Sequence, residues 1–403
     1  MSDPIVREAI VLAGGLATRL GDTSADVPKC LQPVAGRPFL DHVIWNLRRQ
    51  GVRRVVLCTG RLHEAVEAHV RDGSALGVEA VYAREAEPLG TAGAAALGAR
   101  QLSGDLAFVC NGDSLFDVNQ LDLAVHLRRA PDAFTALALH REPDAERYGS
   151  VVLDPDGRIA TFEEKGAVGD ALVNGGVYCA RTAWLSSLQV APSSLERDVF
   201  PGLAAEGRLV GVVRDGFFTD IGTPGSLLAA QESVASWRHK PCAFLDRDGV
   251  INVDGDYVHT PAEFRYTPGM PDAIRLLNDS GWLVIVITNQ AGIGRGLYTE
   301  TEYAWFESWI DRMLAEEGAH VDAWYHCPHH PTAGLGEYRR ECDCRKPAPG
   351  MMLRAIDEWG PDVARSFMIG DMPKDLEAAA AAGVRGVAYR GGNVRDLIAR
   401  LIA

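Results

Sequence analysis

Residues 244–252, Phe-Leu-Asp-Arg-Asp-Gly-Val-Ile-Asn, hold a reactive arrangement. A short apolar run ends in Asp246 and Asp248, one residue apart, followed by Gly249. Two carboxylates this close repel unless a cation or a shared proton relieves them. The pattern suits Asp246 as a nucleophile on phosphorus and Asp248 as its acid/base partner. Taken alone, it suits a solvated acidic turn equally well. Thr288 ends a second apolar, β-branched run, where a hydroxyl can bind a phosphoryl oxygen, and Arg295 follows in Gly-Ile-Gly-Arg-Gly as a substrate contact. A third run, Ser366-Phe-Met-Ile-Gly, ends in Asp371, with Asp375 four residues on. Cys327, His329, Cys342 and Cys344 form two short pairs around a loop with few apolar residues. Three thiolates and an imidazole make a complete tetrahedral set for structural zinc. His330 is a competing imidazole, and redox-active thiols are the alternative. Arg345 and Lys346 come next, so a metal here would hold two cations near a phosphate.

The first half carries a different set. Ala9–Leu12 is a short apolar run leading into Gly14 and Gly15. Such glycines bring backbone N–H groups close to phosphate oxygens, and Arg19 adds a fork of donors. Gly90 and Thr91 open an alanine-rich helix, whose N-terminal N–H groups suit an anion or a base edge. Asp113 and Asp220 each follow an apolar run. Two such carboxylates form an oxygen cage suited to Mg²⁺.

Strands ending at these residues, each followed by a helix, would position them. Leu40, Val43, Ile44 and Leu47 have helical spacing, Arg54–Cys58 reads as a strand, and Leu62–Val70 as a helix. The alternation predicts a parallel sheet covered on both faces. It restarts at Cys242, after a helix over Gly225–Trp237 and the break His239-Lys-Pro241. We therefore expect two α/β units, 1–238 and 239–403, with no flexible linker between them.

Composition bounds the partners. The 403 residues carry a formal net charge of −14, which argues against nucleic acid or an anionic membrane and leaves small-molecule substrates. No apolar run reaches the roughly 20 residues of a membrane-spanning helix. The N-terminal residues lack the pattern of a secretory leader, so a cytoplasmic location is expected. Cys30, Cys58, Cys110, Cys179 and Cys242 are scattered and read as buried free thiols. A homo-oligomer is left open.

Two family resemblances gather these residues. Gly14-Gly-Leu-Ala-Thr-Arg-Leu20, Pro28-Lys29 and Gly36-Arg-Pro38 together resemble the sugar-1-phosphate nucleotidyltransferases. That resemblance implies a GT-A-like, Rossmann-like three-layer unit in which Gly14, Gly15, Thr18 and Arg19 hold the nucleotide phosphates. Lys29 would reach the α-phosphate, Gly90 and Thr91 would lie beside base and sugar, and Asp113 and Asp220 would hold Mg²⁺. Glu164, Lys165, Asn174 and Gly175 would grip the sugar phosphate. Within the family, the likeness is greatest to enzymes that activate a heptose 1-phosphate with GTP; adenylyl transfer from ATP is the alternative. Ala17 departs from the family's usual glycine.

The ordered set Asp246, Asp248, Thr288, Lys346, Asp371 and Asp375 resembles the haloacid dehalogenase superfamily. With the cysteine cluster it resembles heptose-1,7-bisphosphate 7-phosphatases, and histidinol-phosphate phosphatases share the zinc pattern. The implied fold is a second Rossmann-like three-layer unit with a zinc-pinned loop. Mg²⁺ would sit between Asp246, the Asp248 carbonyl and Asp371, with Thr288 and Lys346 stabilising the phosphoryl group. Asp375 would orient these ligands, and Asp254 to Tyr257, Asn289, Gln290 and Arg345 would touch substrate. Met372 departs from a lysine usual in that family, which Lys374 could replace. Together the resemblances imply a bifunctional enzyme that dephosphorylates a heptose bisphosphate and activates the product. The rival reading is a histidinol-phosphate-type phosphatase joined to a nucleotide-sugar binding module.

Overall fold

The computed structural model describes residues 5–15, 27–142, 150–163 and 171–403. It divides into two compact units, Met1–Trp237 and Arg238–Ala403, the boundary falling at the last residue of helix Pro224–Arg238.

In the first unit, the strands Glu8–Leu12, Arg54–Thr59, Glu79–Arg84 and Leu106–Asn111 lie parallel, with Glu8–Leu12 between Arg54–Thr59 and Leu106–Asn111. Their buried residues, Ile10, Val56 and Val109 among them, pack with the small side chains of helix Gly90–Ala99. This part is the expected parallel sheet. Beyond it the sheet is mixed, which corrects the expectation: Ala171–Arg181 runs antiparallel to Leu106–Asn111, Thr135–Glu142 and Ser150–Leu153. Connection length accounts for one pair of this half. Ser150–Leu153 and Ile159–Glu163 pair as antiparallel neighbours across residues 154–158. A parallel crossover needs a dozen or more residues. Asp154 supports that turn by accepting N–H bonds from Asp156 and Arg158.

The second unit is a five-stranded parallel sheet, ordered Ala323–Cys327, Leu283–Asn289, Cys242–Leu245, Phe367–Gly370, Arg385–Ala388. Cys242–Leu245 is wholly buried, as are Leu283 to Thr288, which is why these runs lack hydrophobic alternation. Helix Glu300–Glu316 starts on a capping box in which the Thr299 hydroxyl accepts from Glu302 N–H and the Glu302 carboxylate accepts from Thr299 N–H. It buries Phe306, Ile310 and Leu314 against the core. Parallel strands all point their C-terminal ends one way, so Asp246, Thr288 and Asp371 converge there. Among the described residues, no helix is long and apolar enough to cross a membrane.

Candidate active sites

In the first unit, a cavity of about 690 Å³ lies over the strand ends, lined by Gly14, Gly15, Gly90, Thr91 and Asp113 among others. Asp113 and Asp220, distant in sequence, are brought together by a short antiparallel pair, Ser114–Phe116 with Phe218–Asp220. Asp220 stands opposite Ser114, and Ile221 N–H donates to the Asp113 carbonyl at 3.0 Å. Lys29 Nζ lies 2.5 Å from Asp113 Oδ2, so it pairs with the carboxylate expected to hold a metal.

Other expected contacts have internal partners. The Thr91 hydroxyl donates to Glu196 at 2.7 Å and accepts from Leu195 N–H at 2.8 Å. The Asn174 side chain donates to the Tyr178 hydroxyl and accepts from Gly176 N–H. At Gly175, a Cβ would meet the Phe116 ring at 2.2 Å, so glycine is needed there by packing. Thr18, Arg19, Glu164, Lys165 and the departure at Ala17 lie outside the described residues. Two carboxylates at this end had not been singled out from sequence. Glu196 also accepts from the Ser194 and Tyr178 hydroxyls, and Glu85 lines the cavity. Glu85 follows the last residue of a strand, Arg84, a position that could have flagged it.

The second site is tighter. Asp246 and Lys346 are almost wholly buried. Lys346 Nζ lies 2.8 Å from Asp246 Oδ1, 2.7 Å from Asp375 Oδ1 and 2.8 Å from the Ile287 carbonyl. Burial pushes the Asp246 carboxyl up to about 7; Asp375 and Asp248 add to this and the Lys346 ammonium opposes it. Burial, then repulsion from Asp375, also raises Asp371, while Lys374 acts the other way. Met372, the departure from the family's lysine, is exposed. Carboxylate oxygens of Asp246, Asp371 and Asp375 lie within 4.8 Å of one another. Asp371 Oδ1 is buried with no hydrogen-bond partner among the described residues. A hard divalent cation fits that donor set. Gly249, at φ +81°, makes room for it: a Cβ there would lie 2.2 Å from Asp371 Oδ2.

Asp248 is held on three sides. Oδ1 accepts from Arg247 at 2.8 Å and from Asn252 at 3.1 Å; Oδ2 accepts from Gln290 at 3.0 Å. The same Gln290 amide nitrogen donates to the Thr288 hydroxyl at 2.8 Å, leaving the Thr288 proton to donate elsewhere. Arg247 is completely buried, with Tyr303 and Phe306 rings 5.5 Å from its guanidinium carbon. Its place between two aspartates was visible in the sequence, its burial was not. Asn289 exchanges two hydrogen bonds with the Lys346 backbone. Asn289 and Gln290, expected at the substrate, thus brace the residues that would touch it. Tyr257 has φ +63° and its ring stacks with Arg295 at 5.1 Å. A bulky residue in that conformation is a strained outlier. Asp254 lies near enough to raise Asp371 slightly, and Arg345 donates to the His329 carbonyl at 2.9 Å.

Cys327, His329, Cys342 and Cys344 form one cluster. Their sulfurs lie 3.2 to 3.6 Å apart and His329 Nδ1 is 3.4 Å from Cys344 Sγ. Those spacings are far beyond a disulfide bond and suit ligands around one tetrahedral ion. His330 points elsewhere, accepting from Thr332 and Ala333 N–H. The five other cysteines are buried. Burial pushes Cys110 and Cys179 up to about 12, which keeps them protonated.

The folds and sites define a nucleotide-handling α/β unit followed by an aspartate-based phosphohydrolase unit. Comparisons with known proteins agree. The nucleotidyl transferase family model matches residues 8–236, and a HAD-hydrolase-like model matches residues 343–400. The chain is 48% identical over 145 residues to D-glycero-beta-D-manno-heptose-1,7-bisphosphate 7-phosphatase of Vibrio cholerae serotype O1, covering 36% of this chain and 78% of that one. It is 42% identical over 168 residues to the enzyme of the same name from Rhodopseudomonas palustris, covering 42% and 93%. The crystal structure of HddC from Yersinia pseudotuberculosis complexed with GMP-PN is similar at 28% identity and TM-score 0.50, covering 57% of this chain and 100% of that one. The chain belongs to the nucleotidyl transferase family in its first part and to the heptose-bisphosphate phosphatase family in its second.

Proposed function

We propose that the second unit removes the 7-phosphate of a heptose 1,7-bisphosphate and that the first joins the resulting heptose 1-phosphate to a nucleotide, with GTP as donor. The observation that carries this is the buried Asp246–Lys346–Asp375 group, with Asp248 and Thr288 tied together beside it. Asp246 attacks phosphorus and the P–O bond to the sugar breaks. Asp248 gives its proton to the leaving alkoxide, then takes one from the water that cleaves the aspartyl phosphate. Lys346 and the Thr288 hydroxyl stabilise the transferring phosphoryl oxygens. Asp246, Asp371 and the Asp248 carbonyl would hold Mg²⁺, which when bound offsets phosphoryl charge.

In the first unit, an oxygen of the sugar 1-phosphate displaces pyrophosphate from the α-phosphorus, and no protein nucleophile is needed. Positioning and electrostatics carry the rate. Asp113 and Asp220 would hold Mg²⁺, and Lys29 would exchange Asp113 for the α-phosphate. The sulfur-rich cluster would bind structural zinc through Cys327, His329, Cys342 and Cys344. Buried reduced thiols favour a cytoplasmic setting.

The β-anomer in the names of the relatives supports a second reading, adenylyl transfer to a β-heptose 1-phosphate. The test is to supply protein and Mg²⁺ with α- or β-heptose 1,7-bisphosphate and each nucleoside triphosphate. Formation of phosphate, pyrophosphate and a nucleotide-sugar together is expected. Phosphate without a nucleotide-sugar in every combination defeats the two-step reading.

A further inference from the structure

Tyr298 lies outside the carboxylate group of the second unit and reaches it through one amide. It precedes Thr299, the cap of helix Glu300–Glu316, and its ring stacks with Tyr303 in the first turns of that helix, 6.3 Å between centroids. An apolar contact across the cap in this way fixes how the chain enters a helix. A phenylalanine would make that contact equally well, so it does not account for the hydroxyl.

The buried phenol is held in place by its surroundings. Its ring stacks on His259 with centroids 4.6 Å apart and planes at 13°. Gly292 makes room for it, since a Cβ there would lie 2.6 Å from the Tyr298 oxygen. Burial pushes the phenol up to about 12, Arg247 opposing this and Asp248 adding to it, so the hydroxyl keeps its proton. It donates that proton to Gln290 Oε1 at 2.7 Å.

The Gln290 side chain is buried, and an amide offers donors on one side and an acceptor on the other. Here Nε2 donates to Asp248 Oδ2 at 3.0 Å and to the Thr288 hydroxyl at 2.8 Å. Arg247 and Asn252 occupy Asp248 Oδ1. Each carboxylate oxygen has about two lone pairs, so Oδ2 keeps one for the proton that Asp248 passes to the leaving alkoxide. Turned over, the amide would present Oε1 to both groups. Asp248 carrying its proton, and Thr288, would then donate to Gln290 instead of to the leaving oxygen and the phosphoryl group. An ionised Asp248 resists that turn, because two acceptors would face each other. The proton-bearing form does not resist it. The Tyr298 hydroxyl does, because the turn would leave its buried proton without an acceptor.

We propose that Tyr298 is a positioning residue of the phosphatase site, its hydroxyl holding the Gln290 amide so that Asp248 and Thr288 keep their protons for the substrate. The inference rests on the phosphatase reading and adds to it a residue outside the expected substrate and metal contacts. The test measures kcat and KM for phosphate release from heptose 1,7-bisphosphate with Mg²⁺, on the full chain, on Tyr298→Phe, on Gln290→Met and on the double variant. Tyr298→Phe retains the ring contacts, and cooperative thermal unfolding reports that it is folded. Its kcat should fall about five- to ten-fold, the scale of one hydrogen bond, with KM within about two-fold of wild type, since the loss falls on the transition state. Gln290→Met has no amide to orient, so adding Tyr298→Phe to it should change kcat by less than about two-fold. A wild-type kcat in Tyr298→Phe, whatever its KM, or an equal fall in both backgrounds, overturns the role of Tyr298 and leaves the phosphatase reading standing. No phosphate released by the wild type from either anomer of the bisphosphate removes that reading, and the inference with it.

Discussion

Lys346 faces two carboxylates, so a neutral replacement leaves charges buried without their partner. Lys346→Met should slow phosphate release by at least about 100-fold and lower the thermal midpoint; if phosphate release stays near wild type, the lysine is no phosphoryl contact. A second buried group sets a pH dependence. Burial pushes the Glu307 carboxyl up to about 7; the Tyr303 hydroxyl and Arg247 oppose this, Asp311 and Glu300 add to it, and His326 lies 3.8 Å away. In the unfolded chain this carboxyl titrates near 4.5. Between those values the folded state keeps a proton that the unfolded chain has released, so stability falls as pH rises, by up to roughly 3 kcal/mol. Glu307→Gln should flatten that slope in urea titrations between pH 4.5 and 7. An unchanged slope would show that Glu307 is ionised throughout. At this scale Asp246, Thr288 and Asp371 were legible because each ends an apolar run. Glu196 and the clamp on Asp248 were not, because they depend on which distant segments fold back onto them.

At the scale of elements, parallel strands were readable from unbroken β-branched runs such as Leu283–Thr288. The antiparallel half of the first sheet was not, because Ala171–Arg181 takes its direction from pairing with strands distant in sequence, Leu106–Asn111 and Thr135–Glu142. The loop from Cys327 to Cys344 is the element that most needs help. Its described cluster holds three thiols and an imidazole in one place. Burial, with Cys344 close by, pushes the Cys327 thiol up, and the His329 backbone N–H opposes this. Zinc on His329 Nδ1 would put the imidazole proton on Nε2, where Arg340 now donates at 2.8 Å, so loading should turn Arg340 aside. Metal analysis should return about one zinc per chain. A chelator, or Cys342→Ser, should lower thermal stability and phosphate release together. A chain that holds no zinc and ignores the chelator would leave the cluster as plain thiols. Thr299→Ala should cost about 1 kcal/mol by removing the start of helix Glu300–Glu316, read as a shift of the urea midpoint; no shift would mean the cap contributes nothing.

On the scale of the whole chain, each unit has its own sheet, its own carboxylates and its own substrate chemistry. The strand-and-helix alternation restarting at Cys242 made that division readable. What spacing could not supply was the sequence of reactions, since sugar and base are chosen by side chains that motifs do not fix. Asp113→Asn should stop nucleotide-sugar formation and leave phosphate release intact; loss of both would tie the two chemistries to one site. The most direct measurement follows phosphorus resonances in a mixture of Mg²⁺, GTP and heptose 1,7-bisphosphate, with wild type and with Asp246→Asn. Wild type should release phosphate first, then form pyrophosphate and a nucleotide diphosphate sugar. Asp246→Asn should release no phosphate from the bisphosphate, yet form the same nucleotide-sugar when heptose 1-phosphate is supplied. Phosphate release that survives Asp246→Asn, or loss of nucleotidyl transfer along with it, would contradict the account.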